Sequence, residues 1–198
     1  MHLEEAMSPE DLRLVPTTTA LVIIDVQEKL SPAMVDGGAP CVANVERLLE
    51  GARLLGLRTL VTQQYPKGLG QTLASLRDKI AAMPGVAQAD KLEFSATAND
   101  EALEMILEWR IQGVQSVLVC GMEAHVCVYQ TVRGLRELGF AVHVARDACA
   151  SRTAANLEIG AQLWQKCGAV VTSTEAALFD LVGAAGTDTF KAISKLIR

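Results

Sequence analysis

Short runs of aliphatic and β-branched residues alternate with longer stretches of helical period along the chain, and that alternation is what a parallel sheet with crossover helices produces. Six strands are predicted, at residues 20–25 (ALVIID), 59–63 (TLVTQ), 88–92, 116–121 (SVLVCG), 141–145 (AVHVA) and 169–172 (AVVT). The third is the weakest, because AQADKL contains no β-branched residue. Within residues 42–55, Val45, Leu48, Leu49, Ala52 and Leu55 fall on one helical stripe, and Gly56 supplies a stop. Asn99 is placed to cap a helix running to 109, with Asp100 and Glu101 in the first turn, where the macrodipole favours acids. Further helices are predicted at 128–138, 153–166, 175–181 and 188–197, the last packing across the domain edge or against a partner.

These elements predict one α/β domain: a single doubly wound, Rossmann-like fold with a six-stranded, mostly parallel sheet in the order 3-2-1-4-5-6 and helices on both faces. Residues 1–16 read as an N-terminal extension of it. A chain of 198 residues suffices for one substantial core. Half of the residues are hydrophobic but only 4% are aromatic, so Ala, Val, Leu and Ile must build that core, as in buried parallel sheets. The net charge of −5 offers no basic field to nucleic acid or an anionic membrane surface. No uninterrupted apolar run reaches the length of a membrane span, and MHLEEAMSPEDLR lacks the basic and apolar regions of a secretion signal, so a cytoplasmic protein is expected. The five cysteines, at 41, 120, 127, 149 and 167, are odd in number and lack scaffold-like spacing, which predicts reduced, mostly buried thiols. With no CxxC pair, and with His2, His125 and His143 scattered, neither a metal nor another cofactor is expected.

The longest predicted loops, 28–40 and 64–71, both follow strands, and in an open parallel sheet the segments beyond the carboxyl ends of strands line the ligand crevice. Asp25 stands where ALVII stops; alone it reads as a turn or cap aspartate. Cys127 follows the fourth strand and immediately precedes VYQTVRGLREL, with its stripe Val128, Val132, Leu135 and Leu138. That places it at a helix start, where unpaired N–H groups lower a thiol's pKa and can hold an oxyanion. The other four cysteines read as small buried hydrophobes. Lys91, in ADKLEF, falls near the end of the third strand, and a lone lysine there reads as a surface charge. Co-location strengthens all three, because in the order 3-2-1-4-5-6 the first, third and fourth strands end on one rim near the switch point.

From about Thr17 onward, the chain resembles the isochorismatase-like cysteine hydrolases, a family that includes nicotinamidases and N-carbamoyl amidohydrolases. The resemblance is carried by ALVIIDVQEKL (20–30), the lysine of DKLEFSA, CGMEAHVCVYQT (120–131) and RDACASR (146–152), in that order and spacing. TQQYPKGLGQT (62–72) is most similar to the isochorismatase-domain-containing branch, which lacks the metal motif of nicotinamidases; Gln63, Gln64 and Tyr65 stand where those carry Asp and His. The resemblance implies Cys127 as nucleophile, Asp25 as general base and Lys91 as the supporting cation. It further implies a cis peptide between Met122 and Glu123, with the backbone N–H groups of Glu123 and Cys127 facing one oxyanion. Leu30, Tyr65 and Phe94 are candidates to wall an apolar pocket, Tyr65 being held extended by Pro66. The implied reaction is hydrolysis of an amide or carbamoyl C–N bond in a small molecule through a thioester. The alternatives are vinyl-ether hydrolysis, which in this family does not rely on a cysteine, and a non-catalytic binding or scaffold protein that keeps the fold. A homo-oligomer is expected, both from the family and because LFDLVGAAG and the final helix need cover.

Overall fold

Six strands, β1 (Thr19–Ile24), β2 (Arg58–Gln64), β3 (Val86–Lys91), β4 (Ser116–Met122), β5 (Ala141–Ala150) and β6 (Val170–Thr172), form one sheet ordered β3-β2-β1-β4-β5-β6 in this computed structural model. Every neighbouring pair is parallel. The structure describes residues 12–198; most of the predicted N-terminal extension, with His2, lies outside the described residues. Inside them, Leu14 is buried and its N–H donates to the Asp180 carboxylate at 2.7 Å, which ties the entry of the chain to the domain.

β1 and β4 lie at the centre and are buried along their whole length, which explains their continuous apolar runs. Each aliphatic side chain buried there contributes roughly 1.5–3 kcal/mol. β3 alternates buried and exposed positions towards its end, with Ala89 and Lys91 inward. Its strand character comes from pairing with β2 and not from β-branched residues. Helices α1 (Ala39–Leu55), α3 (Ala74–Ala81), α7 (Thr174–Val182) and α8 (Asp188–Ile197) cover one face. Helices α4 (Asp100–Ile111), α5 (Tyr129–Glu137) and α6 (Ala154–Lys166) cover the other. Asn99, Thr153, Ser173 and Thr187 cap α4, α6, α7 and α8 through their side chains.

Three local expectations change. The segment 64–71 is not all loop, since α2 (Pro66–Leu69) turns within it, and α3 follows unpredicted because only Leu76 and Ile80 mark its buried face. β5 extends through Ala150 and includes DACA, which pairs beyond a register shift with Gly121 and Met122. α8 is partly covered within the chain, since the Phe179 and Phe190 rings meet at 6.1 Å, Ile193 is buried, and Arg47 Nε donates to the Leu196 carbonyl at 3.2 Å, while residues 183–186 stay exposed. Among the described residues, no helix is long and apolar enough to cross a membrane.

Candidate active site

The carboxyl ends of β1, β3 and β4 bring Asp25, Lys91 and the Cys127 segment to one place. β1 ends at Ile24, and Asp25 takes a left-handed conformation (φ 52°) that turns its side chain out of the strand alternation. β4 can approach this turn because residue 121 is glycine: a Cβ there would stand 2.0 Å from the Ile24 carbonyl oxygen, and its φ is +121°. Asp25 Oδ1 accepts from Thr62 Oγ1 at 2.6 Å, and Oδ2 accepts from Lys91 Nζ at 2.6 Å.

Both members of that ion pair have fully buried side chains. Such a pair persists only where further hydrogen bonds satisfy it. Here the Lys91 ammonium also donates to Gln64 Oε1 at 2.8 Å and to the Phe94 carbonyl at 3.2 Å, so all three of its hydrogens have acceptors. Gln64 was not singled out by sequence, yet it is held on every side. Its N–H donates to Gln27 Oε1 at 2.8 Å, its Nε2 donates to the Leu92 carbonyl at 2.8 Å, and its carbonyl accepts from Gln27 Nε2 at 3.0 Å. The available signal was the pair of glutamines at the ends of two adjacent strands. Gln63 faces away from this network and joins Asp90 to Thr72.

Beyond β4 the Met122–Glu123 peptide is cis. Ala124–Val128 then form a wide turn of π-helical pitch that leads into α5, and Cys127 lies within this turn, just ahead of the start of α5 at Tyr129. The turn is gripped from outside. Trp164 Nε1 donates to the Ala124 carbonyl at 3.1 Å, Gly160 lets α6 close on Ala124, and His125 Nδ1 pairs with Ser151 Oγ at 3.0 Å. The Glu123 carboxylate accepts from Arg152 Nε at 2.9 Å and from the Arg152 N–H at 3.3 Å, which anchors the loop.

The Cys127 thiol is buried within reach of the charges of Asp25 and Lys91. Its titration moves opposite to the helix-terminus expectation. Burial first, then the negative charge of Asp25, push the thiol up to about 12, and the nearby ammonium of Lys91 only partly offsets them. A helix start acts through exposed N–H dipoles, whereas a residue 5% exposed beside a carboxylate is dominated by desolvation.

Of the predicted wall residues, Leu30 is half-buried against the core, while Tyr65 and Phe94 are 50% and 53% exposed. The backbones of both bond Lys91: the Tyr65 N–H donates to the Lys91 carbonyl at 2.9 Å, and the Phe94 carbonyl accepts from the Lys91 ammonium at 3.2 Å. Tyr65 is not extended. It adopts φ 40°, because its carbonyl accepts from the N–H groups of Gly68 and Leu69 and so starts α2, and its ring lies over Gly68. Thr97 packs closely on Gly134 of α5. The five cysteines are free thiols, and among the described residues no three His, Cys, Asp or Glu side chains gather as metal ligands.

The isochorismatase domain family matches residues 19–176. The chain is 35% identical over 192 residues to the secreted isochorismatase effector Isc1 of Phytophthora sojae, covering 94% of this chain and 87% of that one. It is 35% identical over 187 residues to isochorismatase domain-containing protein 2A of Mus musculus, covering 94% and 85%. Among solved structures, that of the MAR1 ribonuclease of Caenorhabditis elegans superposes with a TM-score of 0.84 at 36% identity, over 93% of this chain and 92% of that one.

Proposed function

The chain belongs to the isochorismatase family, and from that premise we propose that it hydrolyses the C–N bond of a small amide or carbamoyl compound with Cys127 as nucleophile. The observation that carries the reading is the buried Asp25–Lys91 ion pair at 2.6 Å, both of whose charges act on the Cys127 thiol. A buried charge pair is costly to fold around unless its geometry is fully satisfied, and its placement against a thiol suits proton transfer.

The resting thiol is neutral, so attack and deprotonation go together. Cys127 Sγ adds to the carbonyl carbon as its proton passes to Asp25, and the backbone N–H groups of Glu123 and Cys127 receive the developing oxyanion. The C–N bond then breaks as Asp25 returns the proton to the leaving nitrogen, leaving a thioester. Water attacks the thioester with Asp25 taking its proton, and the released sulfur recovers that proton. Lys91 compensates the carboxylate charge throughout, with Gln64 and Thr62 fixing both partners.

An ammonia-release screen over amides, ureas and carbamoyl compounds, run beside Cys127→Ala and Asp25→Asn, tests the reading. Turnover should disappear in both variants, and the thioester should be trapped on Cys127 by acid quench and mass spectrometry. Turnover untouched by Cys127→Ala would remove the mechanism. RNA belongs in the same screen because of the name of the C. elegans relative; with a net charge of −5, no cleavage of it is expected here.

A further inference from the structure

The segment from Leu92 to Ser95 spans the distance between Lys91 and the helix that carries Cys127. At one end the Phe94 carbonyl accepts from Lys91 Nζ. At the other, Ser95 Oγ donates to the Gln130 carbonyl at 3.3 Å, and the Ala96 N–H donates to Thr131 Oγ1 at 3.0 Å. The side chains this bridge leaves in solvent are Leu92, 70% exposed, Phe94 and Glu93. The bridge beside Lys91 thus presents two apolar side chains and one acid to solvent. The Glu93 carboxylate accepts from the Leu92 N–H at 3.2 Å and from Asn99 Nδ2 at 3.3 Å, which fixes it on the bridge. Hydrogen bonds from its own backbone first, then from Asn99, hold its carboxyl below the ordinary range, so it is charged at neutral pH.

The cations nearest the thiol and its loop already have carboxylate partners. Lys91 has all three hydrogens placed, and Arg152 is bonded to Glu123. Of the two charges acting on the thiol, that of Asp25 outweighs that of Lys91, so an entering carboxylate would gain no net attraction beside the sulfur and would face Glu93 on the way. We infer that the site takes a neutral amide or carbamoyl compound with an apolar body and discriminates against one bearing a carboxylate, with Glu93 a specificity-determining residue.

This rests on the hydrolase reading of the same site, and the test separates the two. Cys127 is alkylated in parallel by neutral iodoacetamide and anionic iodoacetate, each rate divided by that for glutathione and followed by peptide mass spectrometry. The neutral reagent should be preferred about tenfold, and Glu93→Gln or 1 M salt should shrink that preference about threefold, the size of an exposed charge interaction. Iodoacetate reacting as fast as iodoacetamide overturns the inference, as does fast iodoacetate labelling that falls in Lys67→Gln, since Lys67 is exposed on α2 beside Tyr65. A preference unchanged in Glu93→Gln overturns the role of Glu93. In those cases ammonia release that still depends on Cys127 leaves the hydrolase reading standing, whereas failure of both reagents to reach Cys127 overturns both.

Discussion

Two regions of this molecule bury thiols at the carboxyl edge of the sheet, and only one sets its thiol beside a buried ion pair. On the β5 side, Cys41, Cys120 and Cys149 are buried and act on one another's titration. Burial, then Asp147, pushes Cys41 up to about 12. Burial pushes Cys120 and Cys149 far up as well. Cys127 is pushed up to about the same value as Cys41. The difference is what stands next to each sulfur. Cys127 is acted on by a carboxylate that raises it and by an ammonium that lowers it, while Cys41 meets a carboxylate that only raises it. A raised thiol pKa therefore does not distinguish the two regions; a carboxylate paired with a buried cation does, and it is what the proposed nucleophile has beside it.

The largest expected effect breaks the site on one side only. Cys127→Ala and Asp25→Asn should each lower kcat/KM about 10⁴-fold, while Cys149→Ser leaves turnover within a few-fold of wild type. A comparable loss in Cys149→Ser would dissolve the contrast between the two regions. Next comes stability. Lys91→Met leaves Asp25 buried without its counter-charge and should cost about 3–5 kcal/mol in urea unfolding. Cys120→Ala, which removes only apolar packing, should cost on the order of 1 kcal/mol.

Trp164→Phe removes the donor to the Ala124 carbonyl and should cost about 1–3 kcal/mol, with a measurable slowing of Cys127 alkylation. Arg152→Ala should cost under about 1 kcal/mol in stability, because its side chain is 60% exposed, so any larger drop in turnover reports the position of the Glu123 backbone.

The pH dependence is the smallest effect near neutrality. Folding raises the thiols above their ordinary value of 9.0, so the folded state holds these protons where the unfolded chain has lost them. Their contribution to stability is complete below about pH 9 and is lost as pH rises towards about 12, which denaturant midpoints taken across that window would show. Between pH 6 and 8 turnover should show no limb from thiol ionisation, since attack starts from the neutral thiol.

Much of the fold was legible because strand runs, caps and stops are local. Asp25 at the end of ALVII, and Cys127 just ahead of an amphipathic stripe, were visible in the same way. Lys91 was harder, since β3 lacks β-branched residues and its lysine looks like a surface charge until Gln64 and Asp25 are seen to receive it. Tyr65 escaped the extended conformation expected before a proline because its carbonyl starts α2. The direction of the Cys127 shift was misread because a helix start is a sequence feature, whereas desolvation depends on everything folded around it.

By itself, then, the sequence determined the order of elements, the composition of the core and which chemical groups stand at strand ends, because propensity, periodicity and capping act over a few residues. Only the tertiary structure decided that an aspartate, a lysine and a thiol from three strands share one buried site, that a glutamine completes it, and that the thiol rests protonated. Those outcomes depend on distances between segments far apart in the chain and on the exclusion of water, and neither quantity is written in any local stretch of chain.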